Sequence, residues 1–149
     1  MVRNAKSRKS TFRNGSSEIF VRFVLPRMNQ DTGVKDGVFS VAYALRREGN
    51  LPGDEYTELD SLLDWFGDSL SVPSRFNRTK SKGYLRRNTK GISWLKSSAR
   101  KHVSQMHRLA KILKKHGHHV TMIKTHRPGF VVYEDSHQIV AEPFRDLRY

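Results

Sequence analysis

Hydrophobic residues recur with two different periods along this chain, and the change of period predicts strands near both ends with helices between them. From Ile19 to Leu25 the apolar positions alternate, so the odd-numbered residues share one face of a strand. Pro26 lacks a backbone donor and is expected to end that strand. Residues 27–37 are rich in Asn, Asp and Gly, which indicates turns.

Apolar spacings of three and four residues then predict two amphipathic helices. The first runs from Val38 to Glu48, with Asp36 as a possible N-cap and Gly49 in position to end it. The second runs over 54–66, begins with acidic residues that suit the positive end of a helix dipole, and ends near Gly67.

A third and longest helix is predicted from Ile92 to His116, ending at Gly117. Its apolar positions fall within roughly 80° of arc at about 100° per residue. They are Ile92, Leu95, Ala99, Val103, Met106, Ala110 and Leu113. The opposite side is basic and carries Lys96, Arg100, Lys101, His107, Arg108, Lys111, Lys114 and Lys115. The pattern therefore predicts a helix that packs on one side and presents cations on the other.

The last part of the chain returns to a period of two. Segments 119–125, 130–134 and 138–143 read as short strands, and the Pro128-Gly129 pair is typical of a type II turn. We expect these strands to form an antiparallel meander. The predicted fold class is α+β: a single domain in which one N-terminal strand and a three-stranded C-terminal meander pack against three helices.

The ending RPGFVVYEDSHQIVAEPF, which follows a basic helix, resembles the final strands of small bacterial ribonuclease toxins of the RelE type. The resemblance covers residues 118–143. Those toxins are basic and have a β-α-α-β-β-β order, whereas this chain has a third, much longer helix. The resemblance implies ribonuclease activity as an alternative function and carries over no catalytic position.

Charge is unevenly distributed along the 149 residues, which hold 28 Lys+Arg against 14 Asp+Glu for a formal net charge of +14. Residues 1–15 contain bases and no acid, and residues 54–68 contain acids and no base. From Ser69 to Tyr133 the chain has no carboxylate at all. Like charges repel, so a long block of one sign favours a polyanionic partner, most commonly nucleic acid.

The leading hypothesis is a non-enzymatic protein that binds RNA or DNA through phosphates. Residues 1–17 are expected to form a flexible basic arm, residues 18–149 a single domain, and residues 71–91 a basic loop with aromatic residues suited to stacking. The predicted binding residues are Arg75, Arg78, Lys80, Lys82, Tyr84, Arg86, Arg87, Lys96, Arg100, Lys101, Arg108, Lys111 and Lys115.

Two other functions stay open at this point. A small metal-independent ribonuclease would use histidine as general acid or base near the C-terminal strands, the candidates being His118, His119, His126, His137 and Tyr133. Alternatively, the acidic helix 54–68 would bind another protein, as in an adaptor or an inhibitor of a nucleoprotein complex.

The absence of cysteine excludes disulfides, cysteine-ligated zinc and a thiol nucleophile. The histidines lack the i, i+4 spacing of a helical zinc site, so we expect no metal and no cofactor. No run of 18 apolar residues occurs, so we expect no membrane partner and a cytoplasmic location.

Overall fold

The described residues, 18–30, 32–73 and 91–144, form a six-stranded antiparallel sheet and three helices. The strands are β1 (Phe20–Met28), β2 (Lys35–Gly37), β3 (Ile92–Lys96), β4 (Thr121–Thr125), β5 (Phe130–Glu134) and β6 (Gln138–Glu142). The helices are α1 (Phe39–Glu48), α2 (Gly53–Ser69) and α3 (Arg100–Lys115). This computed structural model confirms the predicted α+β class. The arm 1–17 and most of the predicted basic loop lie outside the described residues.

Strand β1 is the centre of the sheet. One of its edges pairs with β4, in register from Phe20 opposite Thr125 to Val24 opposite Thr121. The other edge pairs first with β3 and then, from Val24 onward, with β2. Beyond β3 follow β6 and β5. The strand order is therefore β4-β1-β3-β6-β5. Strand β2 pairs with the same edge of β1 as β3 does, but farther along β1, from Val24 to Met28.

Both faces of the sheet are buried by two main clusters, and a third, small cluster contains Val132 and Val140. On one face Val21, Phe23 and Leu95 pack against leucines of α2 and α3, among them Leu59 and Leu113. Burying one such leucine contributes about 1.5–3 kcal/mol. The other face carries a smaller cluster of Phe20, Val34, Ile92, Trp94, Ile139 and Ala141. The helices thus cover one side of the sheet, and α3 lies there with a solvent-facing side of its own.

The predicted helix from Ile92 to His116 is wrong over its first turns, because residues 92–96 form β3 and the helix begins at Arg100. Strand β3 is buried on both faces, since Ile92 and Trp94 belong to one cluster and Leu95 to the other. A strand with two buried faces also places apolar residues three apart, as a helix does.

The predicted C-terminal meander is also wrong. Strands β5 and β6 pair as expected, but β4 pairs with β1 across the sheet. The alternating pattern identifies strands and does not identify their neighbours. The observed element order, with β2 after β1 and β3 before α3, also differs from the β-α-α-β-β-β order of the RelE-type toxins.

Three predicted boundaries are corrected. Strand β1 continues through Pro26 to Met28, because the ladder with β2 shifts register at that point and requires no donor from the proline. Asp36 lies in β2 and does not cap α1, whose N-cap is Val38. Helix α2 passes Gly67 and ends at Ser69. The left-handed Gly49 after α1 is as expected.

Gly129 between β4 and β5 is the glycine whose replacement we expect to be most damaging to stability. It has a φ of +142°, and a Cβ there would lie 2.2 Å from the backbone oxygen of Glu142. Gly129→Ala is therefore expected to lower the free energy of unfolding by about 3 kcal/mol or more. Urea unfolding measures this, with Gly53→Ala as a control because a Cβ at Gly53 meets nothing within 4 Å. Equal stability of the two variants would contradict the placement of this turn.

Candidate nucleic-acid interface

Helix α3 has one side in the core and one side in solvent. Its buried residues are His102, Met106, Leu109, Ala110, Ile112 and Leu113. Its solvent side exposes Arg100, Lys101, Ser104, His107, Arg108, Lys111, Lys114 and Lys115. The helix contains no acid, so its exposed side is cationic along its whole length.

The cations on the side next to α2 are held by carboxylates of that helix. Arg108 Nη2 lies 3.0 Å from Glu58 Oε2, and Lys115 Nζ lies 2.6 Å from Glu55 Oε2. His116 Nε2 lies 2.6 Å from the other oxygen of Glu55. The hydrogen bonds from Lys115 and then from His116 lower the pKa of Glu55, and Glu55 raises the pKa of Lys115. The predicted phosphate ligands Arg108 and Lys115 therefore already have intramolecular anions.

A second row of cations lies beside the first, and one of them, Lys111, also borders a cavity together with Glu55 and Glu58. Arg100, Ser104, His107, Lys111 and Lys114 fall within about 80° of arc, and we call this row the free stripe. Within the described residues, none of its cations forms an ion pair. From Arg100 to Lys114 the stripe is about 21 Å long at 1.5 Å per residue. It is a straight cationic row whose counter-charge is not supplied by the described part of the chain.

The free stripe borders a cleft between α3 and the β4 edge of the sheet. The cleft has a volume of about 180 Å³ and is lined by Phe23, His107, Ala110, Lys111, Lys114, Val120 and Met122. The His107 ring meets the buried Phe23 ring edge-on, with centroids 5.0 Å apart. The packing of His107 fixes the position of the stripe relative to the sheet.

Lys124 is a further cation on β4, two residues after Met122 of this cleft. It is exposed and lies opposite Val21, whose face of the sheet packs against the helices. It therefore lies on the same face as Met122 and as α3. Lys124 is not among the binding residues predicted from the sequence, although the alternation within β4 places it on the face of Met122, away from Ile123.

The first turn of α3 holds Arg100 and Lys101 where a helix dipole disfavours cations. Exposed backbone N–H groups make a helix N-terminus partly positive, and each charge of the wrong sign there costs about 0.3–1 kcal/mol. No acid occupies this turn, and the N-cap Ala99 makes no side-chain capping bond. Two cations at this position lower the stability of the helix, which is consistent with a binding role.

Lys96, a predicted phosphate ligand, does not lie on the basic side of α3, which corrects its predicted place on that helix. It belongs to β3 instead of α3, and its Nζ lies 2.5 Å from Glu134 Oε2. Its side chain is 13% exposed. The predicted ligands of the basic loop, Arg75, Arg78, Lys80, Lys82, Tyr84, Arg86 and Arg87, lie outside the described residues.

Polar side chains fix the chain segment that leads toward residues 74–90. The N–H of His102 Nε2 donates to the Ser69 carbonyl at 2.7 Å, and Gln138 Nε2 donates to the Ser71 carbonyl at 2.7 Å. The His102 ring also stacks on His137, with centroids 4.2 Å apart, and contacts Trp65. This network anchors residues 69–71 beside the first turn of α3, at the Arg100 end of the free stripe.

Asp135 organises the β5–β6 turn in the same region. Its Oδ1 accepts hydrogen bonds from the backbone N–H groups of His137 and Gln138, and its Oδ2 accepts from the Tyr133 hydroxyl and the Gln138 amide. Burial acts to raise the pKa of Asp135, but these hydrogen bonds together lower it. Burial, aided by the Asp135 carboxylate, raises the pKa of Tyr133. Asp135 therefore serves as a structural acceptor and Tyr133 as its donor.

The depressed pKa of Asp135 predicts a loss of stability in acid. A group whose pKa is lower in the folded state stabilises the fold at pH values above its unfolded pKa of about 3.9. This stabilisation is lost as the pH falls through the pKa of the folded state. Asp135→Asn is expected to lower the free energy of unfolding at pH 7 by about 1–3 kcal/mol. It should also flatten the fall in stability between about pH 5 and 2. Urea unfolding across this range measures both effects, and an unchanged pH dependence in the variant would contradict them.

The predicted catalytic candidates do not converge on one site. Tyr133 and His137 meet in the Asp135 network, whereas His118 and His119 follow the other end of α3. His126 Nδ1 lies 3.1 Å from the Glu18 carbonyl oxygen, at the end of β4. Within the described residues there is no group of three or more histidines and carboxylates that could hold a metal ion.

Among residues 18–30, 32–73 and 91–144, every helix is too short or too polar to cross a bilayer. The chain matches no protein-family model, no curated protein and no solved structure, so its residues and their geometry carry the argument for function.

Proposed function

We propose that this protein binds nucleic acid through its phosphates, without catalysis, using the free stripe of α3 together with Lys101 and Lys124. The observation that supports this most directly is the separation of cations on α3 into two rows. One row is neutralised by Glu55 and Glu58, and the other faces solvent without a described carboxylate. Neutralising phosphates with such a row releases condensed counterions, which drives binding.

The composition of the free stripe favours binding that is independent of sequence. Base recognition relies mainly on Asn, Gln or Arg side chains that make paired hydrogen bonds in a groove. The stripe contains no Asn or Gln, and the nearby Gln105 accepts a hydrogen bond from Arg108 at 3.1 Å. Lysines act as point charges and suit phosphate contacts.

The anchoring of residues 69–71 beside the first turn of α3 also supports the proposal. It holds residues 69–71, which come shortly before the basic segment 74–90 in the sequence, near the Arg100 end of the free stripe. The cations and Tyr84 of that segment stay predicted ligands, and we expect them to extend the same interface.

Direct binding tests the proposal. Fluorescence anisotropy with labelled 20-base-pair DNA and RNA duplexes and with single strands should give saturable binding at low salt, with affinities that differ little between unrelated sequences. Strong preference for one sequence would contradict backbone recognition. Undetectable binding to all of these probes would exclude the function itself.

Removing the two carboxylates that pair with α3 should strengthen binding. Glu55→Gln with Glu58→Gln frees Arg108 and Lys115, which then become available to phosphates. We expect an affinity gain of about threefold to tenfold at low salt, measured by the same anisotropy titration.

The matched control for this pair is Asp60→Asn with Asp64→Asn. Both of these carboxylates contact Arg46 of α1, at 3.0 and 3.6 Å, and not α3. The control removes the same amount of negative charge. An equal gain in both double variants would show a general effect of net charge and contradict the role of the α2–α3 pairs.

The internal use of these acids weakens the alternative in which α2 binds another protein. Four carboxylates of α2 contact cations of this chain: Glu55, Glu58, Asp60 and Asp64. The ribonuclease alternative lacks a described site in which the candidate histidines meet.

A further inference from the structure

A cavity opens in the sheet where β1 and β3 separate. The two strands pair only at Phe20 opposite Lys96 and Val21 opposite Leu95 within the described residues, and β1 next pairs on this edge at Val24, with β2. The space between them has a volume of about 270 Å³. Arg22 and Phe23 border it from β1, and Ile92 to Leu95 border it from β3.

Arg22 lines this cavity, and most of its guanidinium donors have no partner among the described residues. Its Nη1 donates to the Lys35 carbonyl at 2.8 Å, which is its one hydrogen bond in the described structure. A guanidinium has five N–H donors. Burial lowers the pKa of Arg22 to about 10, with Asp36 acting in the opposite direction, so the group stays charged at neutral pH.

Asp36 does not satisfy this cation. Its two oxygens accept hydrogen bonds from Arg27 Nε at 2.8 Å and Asn29 Nδ2 at 2.9 Å. Within the described residues it forms no ion pair with Arg22. A half-buried charge without a hydrogen-bonded counterion among the described residues lowers stability, and that cost is removed when an anion binds.

We propose that this cavity binds a small organic carboxylate with an apolar body, held by the Arg22 guanidinium. The apolar walls formed by Phe39, Ile92, Trp94 and Met106 suit a hydrocarbon body. The nearby negative charge of Asp36 favours a monoanion over a dianion such as phosphate. The volume lies just below the roughly 300–1,000 Å³ of sites for drug-sized ligands, so the ligand is about as large as one aromatic acid.

Benzoate is a suitable probe, with benzamide as its neutral analogue and inorganic phosphate as the competing anion. Titration followed by ¹H–¹⁵N correlation spectra at constant ionic strength should show saturable shifts with benzoate, centred on residues of β1 and β3. Benzamide and phosphate should give no saturable shifts there. Stronger binding of phosphate than of benzoate would overturn the proposal, as would the absence of any benzoate response.

Two variants test the role of Arg22. Arg22→Gln should weaken benzoate binding at least about tenfold, because it removes a charge-assisted contact. Ser93→Phe keeps Arg22 and should block binding by filling the cavity, so it tests the site even if Arg22→Gln fails to fold. Arg47→Gln is the control on α1. If Arg22→Gln or Ser93→Phe folds and binds benzoate as tightly as the parent protein, the assignment is overturned. None of these outcomes depends on whether the protein binds nucleic acid.

Discussion

Replacing four cations that form no ion pair within the described residues by glutamine should reduce nucleic-acid affinity more than any other change of the same size in net charge. The variant is Arg100→Gln, Lys111→Gln, Lys114→Gln and Lys124→Gln. Each phosphate contact contributes about 0.9 to the slope of log affinity against log salt concentration on duplex DNA. The loss of four contacts should make that slope shallower by about 3 to 4 and lower the affinity at least about a hundredfold at low salt.

A smaller pair of variants provides the matched comparison. Lys111→Gln with Lys114→Gln removes two cations of the free stripe, and Lys35→Gln with Arg47→Gln removes two cations elsewhere that also form no ion pair within the described residues. None of these four side chains is buried, so we expect unfolding free energies within about 0.5 kcal/mol of the parent protein. Equal weakening by the two pairs would show that net charge alone determines binding and would remove the free stripe as the interface.

Reversing the two cations in the first turn of α3 should change stability and binding in opposite directions. Arg100→Glu with Lys101→Glu removes two cations from the positive end of the helix dipole and places two acids there, which we expect to raise the free energy of unfolding by about 1–2 kcal/mol. The same change removes two phosphate contacts and adds two repulsions. Affinity for duplex DNA at low salt should fall by about 10- to 100-fold.

This divergence separates loss of binding from loss of fold. Arg100→Gln with Lys101→Gln is the graded control and should give about half of each effect. Urea unfolding and anisotropy on the same samples measure both quantities. A reversal variant that is more stable and binds as tightly as the parent would place the interface elsewhere, and a less stable variant would contradict the dipole argument.

The fold class followed from the sequence because the change of hydrophobic period is a local signal. Strand β5 and the region of α2 were predicted from it directly. The separation of β3 from α3 was not, because Ile92, Trp94 and Leu95 are buried on both faces of the sheet and their spacing also fits a helix. Pairing of β4 with β1 depends on contacts about a hundred residues apart, which no local pattern encodes.

The basic side of α3 was predicted from its spacing, but its division into two rows was not. Which cations are neutralised depends on how α2 packs beside α3, and that packing brings Glu55 to Lys115 and Glu58 to Arg108. Arg22 gave no signal in the sequence, because a single arginine in an alternating strand reads as an exposed residue. In the structure it is half-buried and lines the cavity between β1 and β3.

The salt dependence of binding by the unmodified protein is the sharpest test of whether the cations of α3 and β4 bind phosphates. The described cations that lack a carboxylate partner at the interface are Arg100, Lys101, Lys111, Lys114 and Lys124. Five contacts predict a slope of about −4.5 for log affinity against log salt concentration on duplex DNA, steeper if the basic segment 74–90 also takes part. Titrations from 50 to 200 mM salt should therefore show affinity falling by several hundredfold. An affinity that stays nearly constant over this range would contradict a phosphate-binding interface on α3.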